Sequence, residues 1–140
     1  MEDRYLFRAK RKKYDSNEEV WVIGSYVHTN DGDYIVVPYK KSTLLGEGKY
    51  IEVVPETLCQ CTGLKDKNGK LIWENDIMVA HLDDNYPEDE TYIRILWHGS
   101  GFCSKENGSK DITPVDKFDQ EHFEVIGNIF DNAELLESEE

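Results

Sequence analysis

Apolar runs of four to eight residues recur along the chain, rich in Val, Ile, Tyr, Trp and Phe, with turn residues between them. The clearest are Tyr5–Ala9, Val20–Val27, Tyr34–Tyr39, Tyr50–Val54, Leu58–Cys61, Asp76–His81, Tyr92–His98 and Phe123–Phe130. Runs of this length and composition, punctuated by Asn-Asp-Gly and Asn-Gly, predict a mainly β, mostly antiparallel protein. Two turns carry a mechanism. Asn68-Gly69 joins a run around Leu64 to Leu71–Trp73, and Asn30-Asp31-Gly32 joins Val27 to Tyr34. Both read as type I′ hairpin turns, because Asn and Gly tolerate positive φ.

Helical signals are confined to the C-terminal third. Thr113-Pro114, with Asp116 three residues after the Thr, predicts a capped helix over about 114–121. Asp131 with Glu134 predicts a second short helix, with Leu135 and Leu136 on its apolar side. Residues 42–49 and 82–91 read as loops, and the tail at 137–140 as a fraying end. A chain of 140 residues with 39 % apolar positions and 16 aromatic residues can bury one modest core. The expectation is a single domain, an antiparallel β-barrel or β-roll with one or two short helices toward the C-terminus.

Charge adds an asymmetry. Residues 1–13 hold six basic groups against two acids, whereas 14–140 hold ten basic and 27 acidic groups. Acidic clusters lie at Asp83, Asp84, Glu88, Asp89 and Glu90, and at Asp131, Glu134, Glu137, Glu139 and Glu140. Most of this surface repels a phosphate backbone, and solubility is its plainest reading. The basic stretch, with Arg8, Arg11, Lys12 and Lys13 beside Tyr5, Phe7 and Tyr14, is the candidate nucleic-acid contact. The plainer reading of that stretch is a solvated strand end.

No run of about 18 apolar residues exists to span a membrane, and no apolar segment follows the N-terminus as in a secretory signal. Three cysteines, an odd number, fit a reducing cytoplasm and no essential disulfide. Cys59 and Cys61 are two apart, so a strand points them to one face. With the distant Cys103 they make a poor zinc pattern, and buried thiols are expected instead. His28, His81, His98 and His122 share no metal-pair spacing. Gly99-Ser100-Gly101 lacks the spacing of a nucleophile elbow, and Gly46-Glu47-Gly48 lacks the third glycine of a dinucleotide loop. Asp66-Lys67-Asn68-Gly69 opens like a calcium loop, but Lys70 and Leu71 break it. The sequence therefore nominates no catalytic residue, cofactor or metal.

One long segment runs from Gln60-Cys61-Thr62-Gly63-Leu64-Lys65-Asp66 through Asn68-Gly69 to Trp73-Glu74-Asn75-Asp76-Ile77. A second is Phe123-Glu124-Val125-Ile126-Gly127-Asn128-Ile129-Phe130-Asp131-Asn132-Ala133-Glu134-Leu135-Leu136. Both resemble the signature segments of the YopX family of small phage and prophage proteins. Phe7-Arg8-Ala9 is similar to the family's opening, and Ile93–Phe102 to the strand and glycine-aromatic turn that follow the first segment. Lys10 and Arg11 stand where the family has an aromatic and an Asp, and Asn75 where it has glycine.

The resemblance implies a small β-rich protein with no catalytic residues to carry over. Its motif residues read as structural. Gly63, Gly69, Gly127 and Asn75 serve turns or close backbone approach, while Leu64, Ile72, Trp73, Ile77, Val125, Ile126, Ile129 and Phe130 are core candidates. Asp76 and Asn128 are expected to hold turns through backbone N–H groups, with a binding role as the other reading. The leading functional expectation is a non-enzymatic accessory protein acting through a protein partner or self-association. A nucleic-acid binder and an acidic inhibitor of a host DNA-binding protein are the alternatives.

Overall fold

The structure, a computed structural model, describes residues 3–39 and 48–136. The tail at 137–140 and most of the loop expected at 42–49 lie outside them. The chain divides into two compact units, Met1–Cys61 and Thr62–Glu140.

The first unit is built on β1 (Phe7–Lys10), β2 (Trp21–Thr29), β3 (Gly32–Pro38), β4 (Gly48–Glu52) and the start of β5 (Cys59–Lys65), in the order β4-β3-β2-β1-β5. Every pairing is antiparallel. Period-two alternation sends Ala9, Val22, Ile35 and Ile51 to one side, where they pack with Val53 and the half-buried Phe7, Tyr26, Val37 and Leu58. Beyond β1 the chain bends to meet the end of β4. Arg11 bridges Val53, the Lys12 N–H donates to the Glu52 carbonyl (3.0 Å), and the Val54 N–H donates to that of Lys10 (2.9 Å). The sheet thus curls without a full ladder to close it.

The β2–β3 turn is not type I′. Asn75 is the only non-glycine residue with positive φ among the described residues, so neither Asn30 nor Asp31 supplies it. Thr29 holds the turn instead. Its hydroxyl accepts from the Asp31 N–H (3.1 Å) and donates to the Gly32 carbonyl (3.0 Å).

In the second unit, the end of β5 pairs with β6 (Leu71–Trp73). The chain then enters a five-stranded antiparallel sheet, ordered β10-β9-β8-β7-β11. Its strands are β7 (Asp76–Ala80), β8 (Thr91–His98), β9 (Gly101–Glu106), β10 (Ile112–Pro114) and β11 (Glu124–Asn128). All five residues of the internal strand β7 are buried. Ile72, Met78, Ala80, Ile93, Ile95 and Phe123 form the core, with Leu64, Val115 and Val125 packed against it. Ile126, a sequence-level core candidate, is 38 % exposed. The register slips between Val125 and Gly127, and this bulge turns Ile126 outward.

The Asn68-Gly69 hairpin forms, with a different turn from the expected one. Only Gly69 has positive φ (81°). The Gly69 N–H donates to the Asp66 carbonyl (3.0 Å) and the Asp66 N–H to the Lys70 carbonyl (2.8 Å). That is a three-residue loop with glycine in the left-handed position. Asp66 selects it, because its carboxylate accepts from the N–H groups of both Asn68 and Lys70 at 2.9 Å. Gly127 has a steric reason, since a Cβ there would collide with the Asn132 side chain.

Asn75, with φ of 71°, takes the left-handed conformation expected for the family's glycine position. Asn75→Ala is expected to destabilise the protein by about 1–2 kcal/mol, the usual cost of that conformation for a residue with a Cβ. Asn75→Gly relieves the strain but loses the bond from the Arg94 guanidinium (3.2 Å), and is expected to stay within about 1 kcal/mol. Urea denaturation of the two variants checks the order.

The C-terminal helix starts later than expected. Residues Ile112–Pro114 are a strand on the edge of the sheet, where Pro114 costs no ladder bond. The helix, α1 (Lys117–His122), is capped by Asp116, which forms a reciprocal box with Asp119. Residues Ala133–Leu136 make a 3-10 turn rather than an α-helix. Among the described residues no helix is long and apolar enough to cross a membrane.

Candidate functional site

Antiparallel register sets one face of the second unit's sheet. Ile93 lies opposite Glu106, Ile95 opposite Ser104, and Ser104 opposite Thr113. Directly paired residues share a face, so the face that carries Ile93 and Ile95 into the core becomes polar toward β10. Helix α1 and Phe123 lie along this polar edge, and a cleft of about 280 Å³ opens there. Ile93, Phe123, Leu82 and Phe118 supply its apolar walls. Thr91, Ser104, Ser109 and Thr113 supply hydroxyls, and Glu106, Asp111 and Asp119 supply carboxylates. Burial pushes the Asp119 carboxyl above the usual carboxylate range. A hydrogen bond from the Asp116 backbone works against that shift, and the Asp116 charge adds to it.

The lining residues include no histidine, cysteine, lysine or arginine. His122 adjoins the lining residue Phe123, as His81 adjoins Leu82. The His122 ring stacks on Phe118 (4.1 Å between centroids), and its Nδ1 lies 3.0 Å from the Phe118 carbonyl.

The residues nominated from sequence lie elsewhere. The guanidinium of Arg8 sits 5.0 Å and the ammonium of Lys10 5.5 Å from the Trp21 ring centroid. Arg11 donates from Nε to the Glu19 carbonyl (2.8 Å) and pairs with Glu18 (3.2 Å). Lys12 pairs with Glu52 (3.2 Å), and Lys13 is exposed. Asp76 and Asn128 face each other across β7 and β11. Asp76, 1 % exposed, accepts from the Trp73 N–H (2.7 Å). The Asn128 side-chain oxygen accepts from the N–H groups of Phe130 and Asp131 at 2.9 Å. Both therefore perform the turn-holding role expected of them.

Cys59, Cys61 and Cys103 are buried. Among the described residues no group of three or more His, Cys, Asp or Glu side chains is placed to hold a metal ion. A second polar cluster lies on the β2–β3 hairpin, where the Tyr26 hydroxyl donates to Asp33 and His28 Nδ1 lies 2.7 Å from the same oxygen. The Tyr26 bond, followed by that of His28, holds the Asp33 carboxyl below its ordinary range.

Sequence reading missed the cleft. Its one available signal is polar phase: Thr91 shares the alternation of Ile93 and Ile95, which predicts the core side. Thr113 was expected as a helix cap, and the structure makes it a cleft hydroxyl on β10. No curated protein matches the chain. The family model described as YopX protein matches residues 6–137, almost the full length, and the chain belongs to the YopX family.

Proposed function

We propose that the protein is a non-enzymatic accessory protein made from a phage or prophage, acting in the cytoplasm of the bacterial host by contact with another protein or with its own copies. The two units are taken as one YopX-like domain, since the family match runs through both. The curl of the first unit's sheet, bridged at Arg11 and Val53, is read as a roll.

The observation that carries the proposal is the segregation of charge. Met1–Cys61 holds nine basic and ten acidic residues, whereas Thr62–Glu140 holds seven and nineteen. The acidic unit is the one that contains the cleft. A negative field around a concave site raises the local concentration of a positively charged partner and speeds its arrival.

The basic stretch offers nucleic acid less than its charge suggests, because Arg11 and Lys12 are already ion-paired. The inhibitor reading draws on the cluster at 83–90, where every side chain is exposed. Exposed carboxylates on a loop make a poor mimic of phosphates at fixed spacing, since ordering a loop costs about 1–2 kcal/mol of backbone entropy per residue.

The test is affinity purification of the tagged chain from host cells, paired with light scattering on the purified protein. A retained partner or a defined oligomer supports the proposal. A strict monomer that retains nothing overturns it. Neutralising Asp83, Asp84, Glu88, Asp89 and Glu90 together is expected to slow the partner's arrival but leave the same partner retained, because that loop contributes field and solubility rather than contact. A folded variant that loses its partner would move the contact surface to the loop.

A further inference from the structure

The cleft's chemistry narrows what it can hold. Its volume of about 280 Å³ falls just under the ~300–1,000 Å³ of typical small-molecule pockets, a size closer to one side chain than to a cofactor. Glu106, Asp111 and, from α1, Asp119 bring negative charge to its lining. No cationic side chain lines the space to neutralise them.

Ser104 supplies a separate observation. It is 6 % exposed, lines the cleft, and among the described residues its hydroxyl lies 3.5 Å from that of Thr113. Ordinary O–H···O bonds run about 2.5–3.0 Å. Two hydroxyls are therefore held side by side with little use of each other. A bond this long leaves each hydroxyl with lone pairs to offer an incoming donor. Ile93 and Phe123 complete an apolar wall suited to methylenes, and the exposed Phe118 ring stands at the same cleft.

We propose that this cleft is a pocket for the lysine or arginine side chain of a partner protein, whose alkyl stem lies on Ile93, Phe123 and Phe118 while its charged head meets Glu106, Asp111, Asp119 and the Ser104–Thr113 hydroxyl pair. The inference rests on the protein-interaction reading. Asp119 agrees with it, since a carboxyl raised by burial is the group that gains most from an arriving cation.

The experiment is an NMR titration of the full-length ¹⁵N-labelled chain with the peptides acetyl-Gly-Lys-Gly-amide and acetyl-Gly-Arg-Gly-amide. Acetyl-Gly-norleucine-Gly-amide serves as the uncharged control and spermidine as a free amine. Saturable shifts at Thr91, Ser104, Thr113 and Asp119 are expected with the basic peptides and not with norleucine. The double variant E106Q/D111N, both side chains being surface groups of the cleft, is expected to keep the folded spectrum and bind about tenfold more weakly.

Equal shifts with norleucine, shifts confined to the first unit, or unchanged binding by the double variant would each overturn the pocket. Tighter binding of spermidine than of either peptide would replace the partner side chain with a free polyamine. A flat titration by a chain that still retains its partner overturns this inference and leaves the function reading standing. Lysine-peptide binding in the cleft by a strict monomer that retains no partner does the reverse: it sinks the function reading and keeps the pocket's chemistry.

Discussion

Trp73→Ala is expected to destabilise the protein by about 3–5 kcal/mol, the range for removing a large aromatic ring from a core. Trp73 ends β6 and is only 6 % exposed, so the indole has left water almost completely. The substitution loses the transfer free energy of the ring and leaves a cavity that rigid strands close only in part. Its backbone N–H still reaches the Asp76 carboxylate at 2.7 Å, so the change isolates the ring from the turn it follows. Against a total stability of roughly 5–15 kcal/mol, this loss unfolds a large fraction of a marginal domain. Trp73→Phe retains most of the apolar volume and is expected to cost less than half as much. Urea denaturation followed by circular dichroism checks both. A loss below about 1 kcal/mol for Trp73→Ala would mean that the ring serves a contact surface instead of the core.

Strands were legible where apolar and β-branched residues dominate, as at Trp21–Thr29 and Thr91–His98, because burial on one face writes a period of two into the sequence. Strands β9 and β10 were not read as strands of their own. Ser104, Lys105 and Glu106 carry no apolar alternation, and Ile112–Pro114 is too short to show any. Their positions are fixed by the ladder to β8, a long-range effect that local pattern does not contain.

Turn locations were legible and turn types were not. Asn-Gly announces a reversal, but the choice between loop geometries fell to Asp66 and Thr29, whose side chains bond the turn amides. The helix boundary failed for a related reason. Thr113-Pro114 and Asp116 are both plausible starts, and pairing with β9 took the first of them away. The cleft lay beyond reach because its lining is drawn from residues spread between Leu82 and Phe123, none unusual in isolation. Only the Ile93–Glu106 and Ser104–Thr113 registers bring them to one face.

Asp66→Ala is expected to cost about 3 kcal/mol, large for a residue that contributes no apolar area. Asp66 is buried, and its two carboxylate oxygens serve different parts of the second unit. One accepts from the Asn68 and Lys70 N–H groups at 2.9 Å and shapes the hairpin. The other accepts from the Val125 N–H at 2.8 Å, beside the bulge in β11. Bonds to a charged acceptor contribute about 1.5–3 kcal/mol each, but water can replace the acceptor for the two exposed turn amides. The half-buried Val125 amide has less access to water, so most of the loss is expected there. Asp66→Asn separates the two contributions. Its amide oxygen can keep the turn, while its NH₂ group would face the Val125 N–H, donor against donor. Asn is therefore expected to recover the hairpin but not the link to β11, and to keep more than half the stability loss of Ala. Hydrogen exchange at Val125 should speed up in both variants, whereas exchange at Lys70 should speed up only in Asp66→Ala. Equal protection of Val125 in wild type and Asp66→Asn would show that the hairpin alone depends on this carboxylate.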